Sequence, residues 1–175
     1  MHGSLWTPVT TLFVHANWAH LIGNIVFLSV FGNVFEKEAG GKVTLTAFLV
    51  GGVGSLIIST FYYGSDVAMI GASGAIFTLA AAAMLINPLK LSLAFLFIPL
   101  GLVAILYFIF NVLAVAWGLG GNVGYVAHVA GFLIGVPFGI AFSKGRWLRN
   151  LGITLLLLII FVVIINVIQV LLSLY

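Results

Sequence analysis

Cysteine is absent from this sequence and charge nearly so: Lys, Arg, Asp and Glu together make up 5% of it. Without cysteine there can be no disulfide and no thiolate metal site, and the redox state of the compartment leaves no trace. A soluble domain carries about 25% charged residues, so this chain has too few to cover a water-facing surface. The first 14 residues also lack a charged-then-apolar pattern, which argues against a cleavable signal peptide. What is abundant is apolar: 63% of the residues are hydrophobic, and the mean hydropathy is +1.34. Lipid is the expected solvent. A spanning helix needs about 20 mostly apolar residues, so 175 residues allow about six spans with short loops and no soluble domain. The net charge of +3 is too small to suggest nucleic acid as a partner.

Apolar runs broken by polar residues predict an all-α bundle with helices over 18–35, 43–63, 72–87, 91–117, 123–142 and 148–173. Residues 1–17 are too short and polar to span and read as a surface or re-entrant stretch. Lys37 and Lys42 lie in the first break, Lys90 in the third, and Lys144, Arg146 and Arg149 in the fifth. Alternate breaks face one side, so all six positive residues share a face. By the positive-inside rule that face is cytoplasmic, with both termini on the other side and the cell membrane the expected location. Asp66 is the one charge expected opposite.

Polar residues inside spans are costly and functional by default. Here they are His20, Asn24, Ser73 and His128. His20 lies 17 positions before Lys37, Ser73 lies 17 before Lys90, and His128 lies 16 before Lys144. At 1.5 Å per residue, each sits about 25 Å above the positive charges, just beneath the outer surface of a hydrocarbon core about 30 Å thick. Asn24 follows His20 by one turn on the same face. Three helices thus offer polar groups to one layer. Taken singly, each has a plainer reading. Ser73 in Gly71-Ala72-Ser73-Gly74 suits close helix packing. His128 could bridge two helices, and His20 and Asn24 suit an interface. His2 and His15 read as surface residues. Around His128, the residues Ala127, Gly131 and Gly135 recur every four positions as a small-residue ridge. If it meets the Gly71 and Gly74 surface, the imidazole comes within reach of the Ser73 hydroxyl.

These residues, taken together and in order, resemble the rhomboid family of intramembrane serine proteases. The nucleophile motif Gly-x-Ser-Gly is Gly71–Gly74, and the base motif Ala-His-x-x-Gly-x-x-x-Gly is Ala127–Gly135. The motif His-x-x-x-Asn is His20 to Asn24 with His15 upstream, and Gly-x-x-x-Glu-x-x-x-Gly is Gly32, Glu36 and Gly40. Trp6 stands where the family has a Trp-Arg pair, with Thr7 in place of the arginine, and Phe77 replaces a tyrosine that stacks beneath the histidine. Five residues precede Trp6, where the family core has a spanning helix. The resemblance implies a five-helix catalytic core over 18–142 and an additional C-terminal transmembrane helix in 143–175.

It further implies a serine-type endopeptidase acting on transmembrane protein substrates within the bilayer, with the site toward the extracytoplasmic face. Ser73 is the implied nucleophile and His128, which must be neutral, the base. No buried aspartate completes a triad, so a Ser–His dyad is expected. Asn24, His20 and the Ser73 backbone N–H would stabilise the oxyanion. A lateral gate is implied between the first and fourth helices, with Trp117 a candidate member. No cofactor and no metal are expected, although His15, His20 and His128 are conceivable zinc ligands. An inactive rhomboid-like protein that binds or moves membrane clients is the principal alternative. A small transporter would show in-span charges or internal repeats, and neither is found.

Overall fold

The computed structural model describes residues 6–64, 69–119 and 123–174. A short helix, α1 (Thr7–Thr10), leads through a 3₁₀ turn (Thr11–Phe13) into a bundle. The bundle helices are α2 (Trp18–Ala39), α3 (Gly41–Tyr63), α4 (Ser73–Ile86), α5 (Leu100–Ala116), α6 (Tyr125–Phe142) and α7 (Trp147–Leu172). Four of these are long and apolar enough to cross a membrane, and α4 and α5 are shorter apolar helices. Large apolar side chains, such as Ile159, Val163 and Leu171 on α7, cover the outside. On a soluble monomer so much exposed apolar surface would be a liability; lipid explains it. The chain is an integral membrane protein.

Helix α4 is the axis. From Gly74 to Ile86 every residue is buried, and α3, α5, α6 and α7 pack around it. At 14 residues it is about 21 Å long, shorter than a hydrocarbon core of about 30 Å. It does not cross such a core alone, and Ser73 is its first residue. Alanine and glycine make the packing close. A Cβ at Gly131 would run into the Gly74 carbonyl oxygen, and one at Gly135 into the Thr78 carbonyl. The Thr78 hydroxyl donates across this seam to the Gly131 carbonyl at 2.8 Å.

The charged ends gather opposite Ser73. Lys144 pairs with Glu38 at 2.6 Å. Lys37 and Lys90 line one cavity there, and Arg146 and Arg149 line another with Glu38. Helix α7 is attached mainly through its first turns. Asn150 and Thr154 are its buried residues, and the Asn150 amide donates to the Leu85 and Ile86 carbonyls at 2.8 Å each.

Two predicted boundaries need correction. Helix α2 does not stop at residue 35 but continues to Ala39, through a π turn at Leu28–Gly32. Glu36, Lys37 and Glu38 are good helix formers, so their charges mark the lipid boundary and not the helix end. The break is Gly40, at φ +81°, a backbone that suits glycine. Residues 91–99 are not helical throughout either. They form a loop with a 3₁₀ turn at Leu93–Phe95 and an isolated bridge between Leu91 and Pro99. Pro99 disfavours helical backbone at the residue before it, so α5 begins at Leu100. Leucine and phenylalanine fill this loop, and apolar content alone could not reveal it. The surface or re-entrant stretch is partly an insertion, since Leu12 is buried and a Cβ at Gly52 would lie 2.8 Å from its side chain.

Candidate active site

Ser73 opens α4, so the first-turn backbone N–H groups around it have no carbonyl partner within the helix. The residue that aims it is Gly71, at φ +107°. That conformation favours glycine, and space demands glycine as well: a Cβ would lie 2.6 Å from His20 Cε1, 2.8 Å from its Nε2 and 3.5 Å from Asn24 Nδ2. The Gly71 N–H donates to the Thr11 carbonyl at 2.9 Å, which ties the N-terminal turn to the segment before the serine.

His128 comes from α6, in the first turn. Its Nε2 lies 2.8 Å from Ser73 Oγ, across 55 positions of sequence. The seam of Ala127, Gly131 and Gly135 against α4 makes this contact possible, because larger residues would hold the helices apart. Phe77, one turn below Ser73, lies flat on the imidazole. The other ring nitrogen, Nδ1, lies 2.7 Å from Asn111 Oδ1 on α5.

His20 and Asn24 face this pair from α2. Asn17 caps that helix, its Oδ1 accepting from the His20 N–H at 2.9 Å. The Asn24 amide nitrogen is buried and has no hydrogen-bond partner among the described residues. A buried donor left unpaired costs about 1–3 kcal/mol, so this one is poised for an acceptor. A cavity of about 430 Å³ joins these groups. His20, Asn24, Ser73, Phe77, Tyr107 and His128 all line it.

Some expectations need amending. His15 is not a plain surface residue: its ring packs edge-on against His20 at 5.1 Å, and its Nε2 is buried. Between α2 and α5, where a gate is expected, Phe27 packs against Tyr107 at 4.9 Å, and Trp117 is exposed at the end of α5. Asp66 and His2 lie outside the described residues. Glu36 is remote from the serine, its Oε1 facing Gly41. Sequence reasoning missed Asn111 altogether. The available signal was a side-chain amide within an otherwise apolar span, which is rarely idle there.

Comparison with known proteins agrees with the motifs. The family described as Rhomboid domain matches residues 2–145. The Arabidopsis thaliana protein named Rhomboid-like protein 11, chloroplastic, is 34% identical over 148 residues, which is 78% of this chain and 52% of that protein. RHOMBOID-like protein 6, mitochondrial, from the same plant is 29% identical over 135 residues, covering 77% of this chain and 42% of the relative. The chain thus spans about half the length of the curated relatives it matches.

Proposed function

The chain belongs to the rhomboid family, and on that premise we propose that it is an intramembrane serine endopeptidase that hydrolyses peptide bonds in or near transmembrane segments of other membrane proteins. The observation that carries this reading is the 2.8 Å contact between Ser73 Oγ and His128 Nε2, inside a cavity that also holds an unpaired amide donor. A serine hydroxyl is a weak nucleophile until a base removes its proton.

The reaction runs in two halves. Ser73 Oγ attacks the scissile carbonyl carbon while its proton passes to His128 Nε2, and the carbonyl π pair moves onto oxygen. The resulting oxyanion is received by the Asn24 amide, the first-turn N–H groups of α4 and the His20 ring. Collapse breaks the C–N bond, and Nε2 returns the proton to the leaving amine. Water then attacks the acyl carbon while giving a proton to the same nitrogen; the bond from carbon to Ser73 Oγ breaks, Nε2 returns the proton to Oγ, and the new carboxylic acid leaves.

The cavity lies at the end of the bundle away from Lys37, Lys90, Lys144 and Arg149. By the positive-inside rule it opens toward the extracytoplasmic side of the membrane. A cavity of about 430 Å³ has room for several waters, each taking about 30 Å³ in the liquid, enough to admit the water that hydrolysis needs. Substrate helices with breakers near that side should unwind into it most easily.

The test uses the purified chain in detergent. A fluorophosphonate should label the wild type at Ser73, a single-span reporter should be cut, and Ser73→Ala should do neither. Cleavage by Ser73→Ala at the wild-type rate would remove Ser73 as the nucleophile, and an inert wild type would leave a client-binding protein as the better reading.

A further inference from the structure

Asn111 is an expensive residue where it stands. It is 2% exposed on α5, a helix of otherwise mostly apolar side chains, and a buried amide without partners is costly. Both of its polar atoms are engaged. Nδ2 donates to the Tyr107 carbonyl at 2.7 Å, and Oδ1 lies 2.7 Å from His128 Nδ1.

These two contacts fix a proton. A carbonyl oxygen can only accept, so the atom of Asn111 that faces Tyr107 must be the NH₂ group, which assigns the amide orientation from its network. The atom facing His128 is then the amide oxygen, which carries no hydrogen. A hydrogen bond there requires His128 to hold its proton on Nδ1. Nε2 is left with a free lone pair, 2.8 Å from Ser73 Oγ. The opposite tautomer would set two lone pairs against each other at Nδ1 and present an N–H to the serine, which is the wrong arrangement for a base.

We propose that Asn111 is the positioning residue of His128: it selects the Nδ1–H tautomer and holds the ring on Ser73, extending the pair to a hydrogen-bonded Ser73–His128–Asn111 chain. This rests on the protease reading for its consequence in rate, but not for its consequence in structure. During attack, Nε2 takes the Ser73 proton and the ring becomes cationic. The Nδ1–H bond to an oxygen dipole is already in place, so nothing need reorganise. An amide oxygen performs this role without a buried negative charge, which suits a site at membrane depth. The triad logic of serine hydrolases assigns the same two tasks, tautomer and orientation, to the third residue.

The experiment has a spectroscopic arm and a kinetic arm, both on the full chain in detergent micelles. With ¹⁵N-labelled histidine, and the His128 signals identified by their loss in His128→Gln, wild type should show a protonated Nδ1 and an unprotonated Nε2. Asn111→Leu should give mixed tautomers, and Asn111→Asp should restore the Nδ1–H form. In the kinetic arm, Asn111→Leu should lower reporter kcat about 10–100-fold, the range typical of lost outer-shell partners, with KM little changed, and Asn111→Asp should recover most of it. Wild-type His128 protonated on Nε2 would overturn the proposal whether or not any variant folds. So would an unchanged tautomer and kcat in Asn111→Leu. A wild type that shows the Nδ1–H tautomer yet neither labels nor cleaves would support the positioning role while removing the protease reading.

Discussion

The rings of Phe77 and His128 lie parallel, with centroids 4.5 Å apart and planes within 6°. With Ser73 on one edge and Asn111 on the other, this stack limits the remaining freedom of the imidazole, its tilt out of plane. Phe77→Tyr keeps the face and should retain reporter cleavage within a few-fold. Phe77→Ala removes a buried ring and should cost about 3–5 kcal/mol of stability. It should also lower the fluorophosphonate labelling rate of the folded fraction. Labelling followed beside thermal unfolding separates the two effects; full labelling by folded Phe77→Ala would show that the stack does not orient the base.

On the proposed mechanism, a graded series is expected around the oxyanion. Ser73→Ala should abolish turnover and His128→Ala nearly so, because each removes a proposed reacting group. Asn24→Ala should reduce kcat about 10²–10³-fold, as loss of one such donor typically does. Its stability should hold or rise, since the Asn24 Nδ2 atom has no partner among the described residues to lose and its unpaired burial is costly. Steady-state kinetics with a single-span reporter would check the order. An Asn24→Ala enzyme as fast as wild type would move the oxyanion elsewhere.

How much of this was legible beforehand depended on what could be counted. The layer holding His20, Ser73 and His128 was readable because each lies on a helix that runs without a break to a marked positive residue or close to one. Asn111 was not readable by that count. From Lys90 it is 21 positions, about 31 Å if all were helix, well above the layer. In the structure the chain spends 91–99 in a loop, and the Leu100 N–H returns to the Lys90 carbonyl at 2.9 Å. Asn111 then stands only 11 positions above that level. The loop itself was hidden because its leucines and phenylalanines look like lipid-facing helix. His15 was hidden for another reason: a histidine outside a span carries no depth, and only the fold brings it to His20.

Glycine substitutions should separate the seam from the surface. Gly131→Ala would place a methyl group on the Gly74 backbone carbonyl, which cannot swing aside as a side chain could, and must part α4 from α6. Because His128 sits one turn from Gly131, the Ser73 contact should open with it, and activity and melting temperature should fall together. At Gly152 on α7 a Cβ meets nothing within 4 Å. Gly152→Ala should leave activity intact and can add up to about 1 kcal/mol from helix propensity. Equal behaviour of the two variants would mean that the seam does not set the distance between nucleophile and base.

Stability and catalysis should come apart most clearly at Asn150. Its amide donates to the Leu85 and Ile86 carbonyls at 2.8 Å each. These belong to the last turn of α4, where carbonyls lack partners within the helix. Ser73 stands at the other end of the same helix, 13 positions from Ile86. Asn150→Leu keeps the branched heavy-atom skeleton, although it is bulkier, and orphans two buried acceptors, at about 1–3 kcal/mol. Such a loss should loosen the attachment of α7, whose remaining length is exposed to lipid. The expected result is a lower unfolding midpoint in denaturing detergent, with kcat of the folded fraction close to wild type. Loss of kcat without loss of stability would show instead that the C-terminal helix reaches the site through α4.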